Sequence, residues 1–383
     1  MYLNFHPKSM TSYIKNCLQP GVLLFLCLSL SCTDSSNAQR MDFESYDPPS
    51  TLKVPEHLVY KARYPFIDVH NHQFNMPNQD LSTLVKEMDK LNMAVMVNLS
   101  GCGRGSDEHL KGALENVHGH YPTRFIVFTN ISLNGIDKPG WTQKTVTQLE
   151  RDVKLGANGL KIYKSQGMIN RDSHGRRIKI DDPRIDPVWE KCGELGIPVL
   201  IHSADPKPFW SPMDSLNERW LELKTHPGRK RDDTHPAPWE TIIEEQHHIF
   251  RKHPNTKFIN AHLGWYANDL ASLARLMDEL PNMYAEIGAV IAELGRQPRF
   301  AKAFLTKYQD RVMFGKDSWH PKEYYTYFRV LETADEYFPY YKRYHAFWKM
   351  YGLDLDDEVL RKLYYKNALK VIPNIDPSLF PSQ

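Results

Sequence analysis

Five residues of this 383-residue chain have the types needed to hold a metal ion and move a proton, and each ends a short apolar run. His70 and His72 end Phe66-Ile67-Asp68-Val69-His70-Asn71-His72. His202 ends Pro198-Val199-Leu200-Ile201-His202, His262 ends Phe258-Ile259-Asn260-Ala261-His262, and Asp317 ends Phe314-Gly315-Lys316-Asp317. Side chains two apart on a strand point the same way, so His70 and His72 aim together while Asn71 points away. Neutral imidazoles and a carboxylate suit Zn²⁺ or a similar divalent ion. Such an ion acidifies bound water and polarises carbonyls and carboxylates. One histidine at a strand end reads as a satisfied polar cap. Five such groups at equivalent ends read as a site.

The elements that must position them alternate along the chain. Short β-type runs fall at 66–69, 94–99, 125–131, 159–163, 199–202, 258–262, 284–287 and 312–314. Helical stripes lie between them. Leu81, Leu84, Val85 and Met88 share one face, as do Ile185, Val188, Trp189, Cys192 and Leu195, then Leu270, Leu273, Leu276, Met277 and Leu280, then Phe300, Ala303, Phe304 and Tyr308. The strands lack alternation, which implies burial on both faces as in a parallel sheet. The pattern predicts a (β/α)8 barrel, with a doubly wound open sheet as the alternative. In a barrel, all five residues gather at the C-terminal face of the strands, where active sites are built. A long connection, 203–240, carries six prolines between strands 5 and 6, and an aromatic-rich tail follows strand 8 over 318–383.

Residues 1–38 read as an export signal. Lys8 and Lys15 precede the apolar run Gly21 to Leu30, which is shorter than the ~20 residues a bilayer span requires. Cleavage after Ala38 and lipoprotein processing before Cys32 are both open, placing the protein in the periplasm or, lipidated, at the outer membrane. A lipid on Cys32 is the one membrane attachment expected. Residues 39–60 read as a tether and 61–383 as the catalytic domain. Of five cysteines, Cys102 and Cys192 remain after residue 38, too few for a disulfide framework. A net charge of +2 with no basic run gives no nucleic-acid footprint. No Gly-rich phosphate loop, Ser-His-Asp set or nucleophilic cysteine presents itself.

The ordered histidines and aspartate resemble the amidohydrolase superfamily, in its amidohydrolase-2 branch of metal-dependent TIM barrels, related to aminocarboxymuconate semialdehyde decarboxylase. The resemblance covers about 60–375. It implies one divalent metal, zinc or alternatively manganese, held by His70, His72, His202 and Asp317. It also implies His262 as acid/base or substrate-polarising group, so that His262 and Asp317 form the catalytic pair. Lys161 stands where binuclear relatives carry a carbamylated lysine. With one metal expected, it reads as an anchor for a substrate anion.

Other residues are placed near the mouth. Arg296 and Arg299 would form a fork for a substrate carboxylate, or else sit on a solvated loop. Glu286 would orient a ligand histidine from behind, or pair structurally. Asp205, Trp210, Asn217, Arg219 and Trp220 would form a substrate rim, with Trp210 stacking on a sugar ring. The run Arg229-Lys230-Arg231-Asp232-Asp233 and the pair His247-His248 read as solvent-facing.

The chemistry then points to an exported metal-dependent lyase acting on a carboxylated, carbohydrate-derived small molecule or oligosaccharide end, most specifically a dehydratase of uronic-acid-ended oligosaccharides. A metal-dependent hydrolase of a sugar lactone, ester or amide is the alternative, and a non-catalytic carbohydrate-binding barrel the second. Assembly of identical chains is compatible with all three.

Overall fold

The apolar runs become short parallel strands in which almost every residue is buried: β1 (Phe66–Asn71), β2 (Met93–Asn98), β3 (Phe125–Val127), β4 (Thr129–Asn130), β5 (Leu160–Ile162), β6 (Val199–Ile201), β7 (Phe258–Asn260), β8 (Met283–Glu286) and β9 (Val312–Met313). This computed structural model describes residues 41–103, 107–345 and 347–382. The signal expected over 1–38 lies outside the described residues.

These nine strands pair in parallel, β1-β2-β3 in one sheet and β4 through β9 in the other, while in the tail Phe338–Pro339 pairs antiparallel with Lys349–Met350. The third expected run is divided at Phe128. The Phe128 amide donates to the Asn98 carbonyl at 2.9 Å, and the Thr129 amide to Gly159 at 2.9 Å, so the run passes from β2 to β5. At the other junction Val69 N–H donates to Phe314 O at 3.0 Å and Asp317 N–H to His70 O at 2.6 Å, bringing the last strand beside the first. A doubly wound sheet reverses its strand order at a switch point. Here the order never reverses, and the fold is a (β/α)8 barrel.

The helices bury the expected stripes with two exceptions. Leu81, Leu84, Val85 and Met88 are buried in α1 (Leu81–Leu91), which Asp80 caps by accepting the Ser82 amide at 2.9 Å. Val188, Trp189 and Cys192 are buried in α2 (Asp186–Glu194). In α3 (Pro298–Lys307) the buried face is Ala301, Phe304 and Leu305, and Phe300 is 51% exposed. The expected face of Phe300 and Ala303 was one residue out of phase. The second exception is His247, which is buried against Tyr266 and Phe250 in the helix Trp239–Lys252, while His248 faces outward to Asp181.

The aromatic tail packs as expected. Phe314 at the end of the last strand meets Phe66, Tyr327, Phe328 and Tyr364, and the buried Tyr324 hydroxyl donates to Asp68 Oδ2 at 2.6 Å. Of the tether, the described residues up to Pro48 hold one 3-10 turn, Phe43–Ser45. Beyond it, the His57 amide donates to the buried Asp335 carboxylate at 2.7 Å. Among the described residues no helix is long and apolar enough to cross a membrane.

Candidate metal and active site

Strand β1 carries His70 and His72 to the barrel mouth on the same side. His70 is fully buried, with Nδ1 2.9 Å from Glu286 Oε1. His72 places Nδ1 2.8 Å from Ser100 Oγ. Glu286 accepts, so His70 Nδ1 carries the proton and its Nε2 presents a lone pair; Tyr163 Oη donates to Leu99 O at 3.2 Å, so Ser100 Oγ donates to Tyr163 and accepts from His72 Nδ1, which leaves His72 Nε2 bare as well. Burial, aided by the nearby Lys161 charge, pushes His70 far below the ordinary imidazole range and His72 down to about 3. Both are therefore neutral at physiological pH, as ligands must be. The backbone at Asp317 turns left-handed, with φ 84°. This places Asp317 Oδ1 3.5 Å from His70 Nε2 and 3.7 Å from His72 Nε2. Burial opposes charge on Asp317, but the facing imidazoles and Lys161 outweigh it and hold the carboxylate well below its usual range.

Glu286, at the end of β8, organises the floor. Its Oε1 accepts His70 Nδ1–H and the His262 amide at 2.6 Å, and its Oε2 accepts the Gly288 amide at 2.5 Å. A Cβ on Gly315 would fall 2.2 Å from Oε2, so the Gly315 of Phe314-Gly315-Lys316-Asp317 leaves room for the carboxylate. His262 lies just past β7 rather than within a strand, in a left-handed stretch (φ 58°, then 53° at Leu263 and 62° at Gly264). Its Nδ1 donates to Gly288 O at 2.7 Å, which leaves Nε2 as the acceptor facing His202 Nδ1 at 3.3 Å. With Nδ1–H of His202 thus directed, His202 Nε2 is a bare lone pair, buried and without a partner among the described residues.

These residues fit a divalent ion. His70 Nε2, His72 Nε2 and an Asp317 oxygen lie within 4.8 Å of one another with no proton between them, an arrangement that a cation relieves. His202 supplies a fourth base but stands outside that group and reaches it through His262. A second cluster, His70, His262 and Glu286, is already joined by hydrogen bonds, with Glu286 Oε1 taking both the His70 Nδ1–H and the His262 amide. Lys161 is buried, with Nζ 3.4 Å from His70 Nε2. Burial pushes its ammonium down to about 7, opposed by Asp317 and Glu286. It therefore borders the histidine cluster from within the barrel.

A cavity of about 160 Å³ opens over His202, His262 and Asp317. Its wall is rich in cations, Lys164, Arg219, Arg229 and Lys342 with His345, set beside the carboxylates Asp205, Glu222 and Asp317. Arg219 is paired with Glu222 and Glu293, Arg229 with Glu222 at 2.6 Å, and Lys164 with Asp205 at 2.5 Å. Lys342 has no carboxylate partner among the described residues. Asp205 and Arg219 of the expected rim are therefore present. The charged run at 229–233 is not simply solvated, because Arg229 and Arg231 are pinned to Glu222 and Asp205.

Three expected substrate residues are elsewhere. Arg296 stacks 3.7 Å from the Trp348 ring centroid and pairs with Glu218, and together with Arg299 it lines a separate surface cleft. Trp210 donates through Nε1 to Ala237 O at 2.8 Å and ties the long loop together. Trp265, stacked on His262 at 4.6 Å, occupies the cavity wall instead. Lys164 could have been found, three residues beyond Lys161 at the same strand end. Lys342 and His345 come from the tail, with no local signal in the sequence.

The amidohydrolase family profile matches residues 129–373, a span that contains Lys161, His202, His262, Glu286 and Asp317 and begins after the His70–His72 pair. Among solved structures the chain is similar to 2,6-dihydroxybenzoate decarboxylase from Rhizobium, at 15% identity and TM-score 0.51, over 80% of this chain and 98% of that one. It is similar to dihydroxybenzoic acid decarboxylase from Polaromonas, with bound manganese and the inhibitor 2-nitroresorcinol, at 16% identity and TM-score 0.50, over 80% and 96%. An uncharacterized TIM-barrel protein from Bordetella bronchiseptica aligns at 14% identity and TM-score 0.50, over 80% and 97%. At these identities the likeness establishes a common barrel fold. No curated protein matches the sequence.

Proposed function

The chain belongs to the amidohydrolase family as a metal-dependent lyase or hydrolase, and from that premise we propose that it is an exported lyase, dehydrating uronic-acid-ended oligosaccharides. The observation that carries the reading is Lys342, a cation in the wall of the cavity over His262 and Asp317 that has no carboxylate partner among the described residues. A carboxylate on the substrate is the natural occupant of such a wall. Export rests on the leader sequence, and an exported enzyme meets polymer fragments.

In this reading His70, His72, His202 and Asp317 hold one divalent ion, zinc or manganese. When bound, it polarises the substrate carboxylate. The protein's own groups do the rest. Lys342 binds and orients the anion. His262 Nε2, on giving up the His202 Nδ1–H that faces it at 3.3 Å, accepts the proton beside the carboxylate, while its Nδ1–H bond to Gly288 O fixes the ring for that task. Trp265 covers the His262 ring and limits water. The substrate loses that proton and a hydroxide, together one water, and leaves a carbon–carbon double bond conjugated to the carboxylate.

The test is ultraviolet absorbance of metal-loaded protein mixed with a panel of uronate-ended oligosaccharides. New absorbance from the conjugated product, abolished in His262→Ala, supports the dehydratase. Acid release from sugar lactones or esters in a pH-stat, with no absorbance change on any uronate, would move the reaction to hydrolysis.

A further inference from the structure

A second cavity, of about 310 Å³, opens between the ends of β4 and β5. Its wall differs in chemistry from the cationic one. Asn134, Ser165, Gln166 and Asn170 line it, and none of their side chains makes a hydrogen bond among the described residues. No described carboxylate lines it, and its one ammonium, Lys161, is turned to His70. Gln166 is 3% exposed, yet its Nε2 has no partner among the described residues. An unpaired buried amide is costly, so its place needs a reason.

The backbone holds Gln166 there firmly. Gly167 follows it with φ 80°, and a Cβ on Gly167 would fall 2.6 Å from Ile180 Cγ1. The Gly167 amide donates to Ile178 O at 3.1 Å, and its carbonyl accepts Arg177 Nη1 at 2.9 Å. Arg177 is in turn locked by a two-pronged pair with the buried Glu245. The turn thus fixes the Gln166 side chain in the cavity wall.

Amide groups both donate and accept, which matches sugar hydroxyls and not a carboxylate. The volume equals about ten waters at ~30 Å³ each, room for one sugar ring. The wall is shared with the metal-ligating cluster, because Lys161 Nζ lies 3.4 Å from His70 Nε2 and the Tyr163 ring stacks on His72 at 5.6 Å. We infer that this cavity is a subsite for the neutral sugar unit next to the reacting carboxylated one, with Gln166, Asn134 and Asn170 as its hydrogen-bonding groups. The inference rests on the uronate reading for the reacting unit and extends it to the neighbour: the substrate is at least a disaccharide, anionic at one end and neutral at the other.

The experiment compares kcat/KM for a uronate-ended disaccharide with that for the free uronate, in wild type, Gln166→Leu and Asn170→Trp. The second variant fills the cavity from a half-exposed position and guards against misfolding of the first. The disaccharide preference falls about tenfold in the variants, through KM, the size expected for one lost hydrogen bond. An unchanged preference in folded variants overturns the inference. Cellobiose, a neutral disaccharide, is also titrated into the three proteins by ligand-observed NMR. If no uronate is turned over, this titration decides alone. Binding to wild type that is lost in the variants upholds the sugar subsite while the proposed reaction fails, and absence of binding to wild type overturns both.

Discussion

Replacing Glu286 by glutamine isolates the device that orients His70. The carboxylate accepts three buried N–H groups: His70 Nδ1 at 2.9 Å and the His262 amide at 2.6 Å on Oε1, and the Gly288 amide at 2.5 Å on Oε2. An amide has one oxygen. Placing it at the Oε1 position keeps two of the three bonds and turns the new NH₂ against the Gly288 N–H. The Gly288 N–H and the new NH₂ are then both left without an acceptor, at about 1–3 kcal/mol each. The melting temperature falls by several degrees. His70 keeps a neutral partner in place of an anionic one, so its Nε2 becomes a poorer base, and metal affinity drops roughly 10–100-fold. The assay is a competitive chelator titration with Zn²⁺ alongside a thermal melt. Glu332→Gln is the control. Glu332 is a largely buried carboxylate accepting the Tyr364 hydroxyl at 2.6 Å and the Arg63 amide at 3.0 Å, away from the cluster. It lowers the melting temperature and leaves metal affinity alone. If Glu286→Gln melts lower with an unchanged Zn²⁺ dissociation constant, Glu286 is a structural acceptor and the orienting argument is wrong.

Further outcomes follow from the same geometry. Mass spectrometry of wild type after incubation with Zn²⁺ or Mn²⁺ gives about one ion per chain, and His72→Ala and Asp317→Asn lose it; full retention in both variants would refute the ligand set. Lys342→Ala weakens binding of carboxylate-bearing ligands about ten- to a hundredfold, the worth of a charge-assisted hydrogen bond, and has little effect on neutral analogues; equal effects on both would place the anion elsewhere. Burial alone would raise the Glu222 pKa, but the His345 hydrogen bond and the Arg219 charge bring it from 4.5 to about 2. Its folded-state pKa is thus the lower one, so its stabilisation is complete above pH 4.5 and lost as the pH falls toward 2, on the order of 3 kcal/mol. Urea unfolding of wild type and Glu222→Gln between those pH values shows the two stabilities converging as acid is added; a constant difference would contradict the assignment.

The parts legible in the sequence were those with a local signature. An apolar run that stops at His70-Asn71-His72 marks both a buried strand and its chemical end. The same holds for His202 and Asp317, and the glycine before Lys316-Asp317 has its cause in the space Glu286 needs. What was misread depends on partners distant in the chain. Arg296 looked like an anion fork but is claimed by Trp348 and Glu218, whereas Lys342 and Arg229 reach the cavity from the tail and the long loop. His247 sits among Glu244, Glu245 and Gln246, which reads as a wet face. Yet Glu245 is buried to meet Arg177, and Gln246 donates to Asn260 at 3.0 Å, so that side of the helix faces the barrel. The phase of the helix Pro298–Lys307 was lost because Phe300, the residue that suggested it, lines a surface cleft.

The contact that joins the last strand to the first has a consequence for biosynthesis. A chain emerging from the ribosome as far as Leu280 already carries His70, His72, His202 and His262, but neither Glu286 nor Asp317. The left-handed turn at His262 has then no acceptor for its amide, and the imidazoles of β1 have no carboxylate opposite. Both arrive with the final strands. Because the Asp317 amide itself bonds to the His70 carbonyl, ring closure and completion of the ligand cluster are one event. A barrel that lacks its last strand keeps the histidines without the carboxylate that faces them, so the ligand cluster is complete only when the ring is.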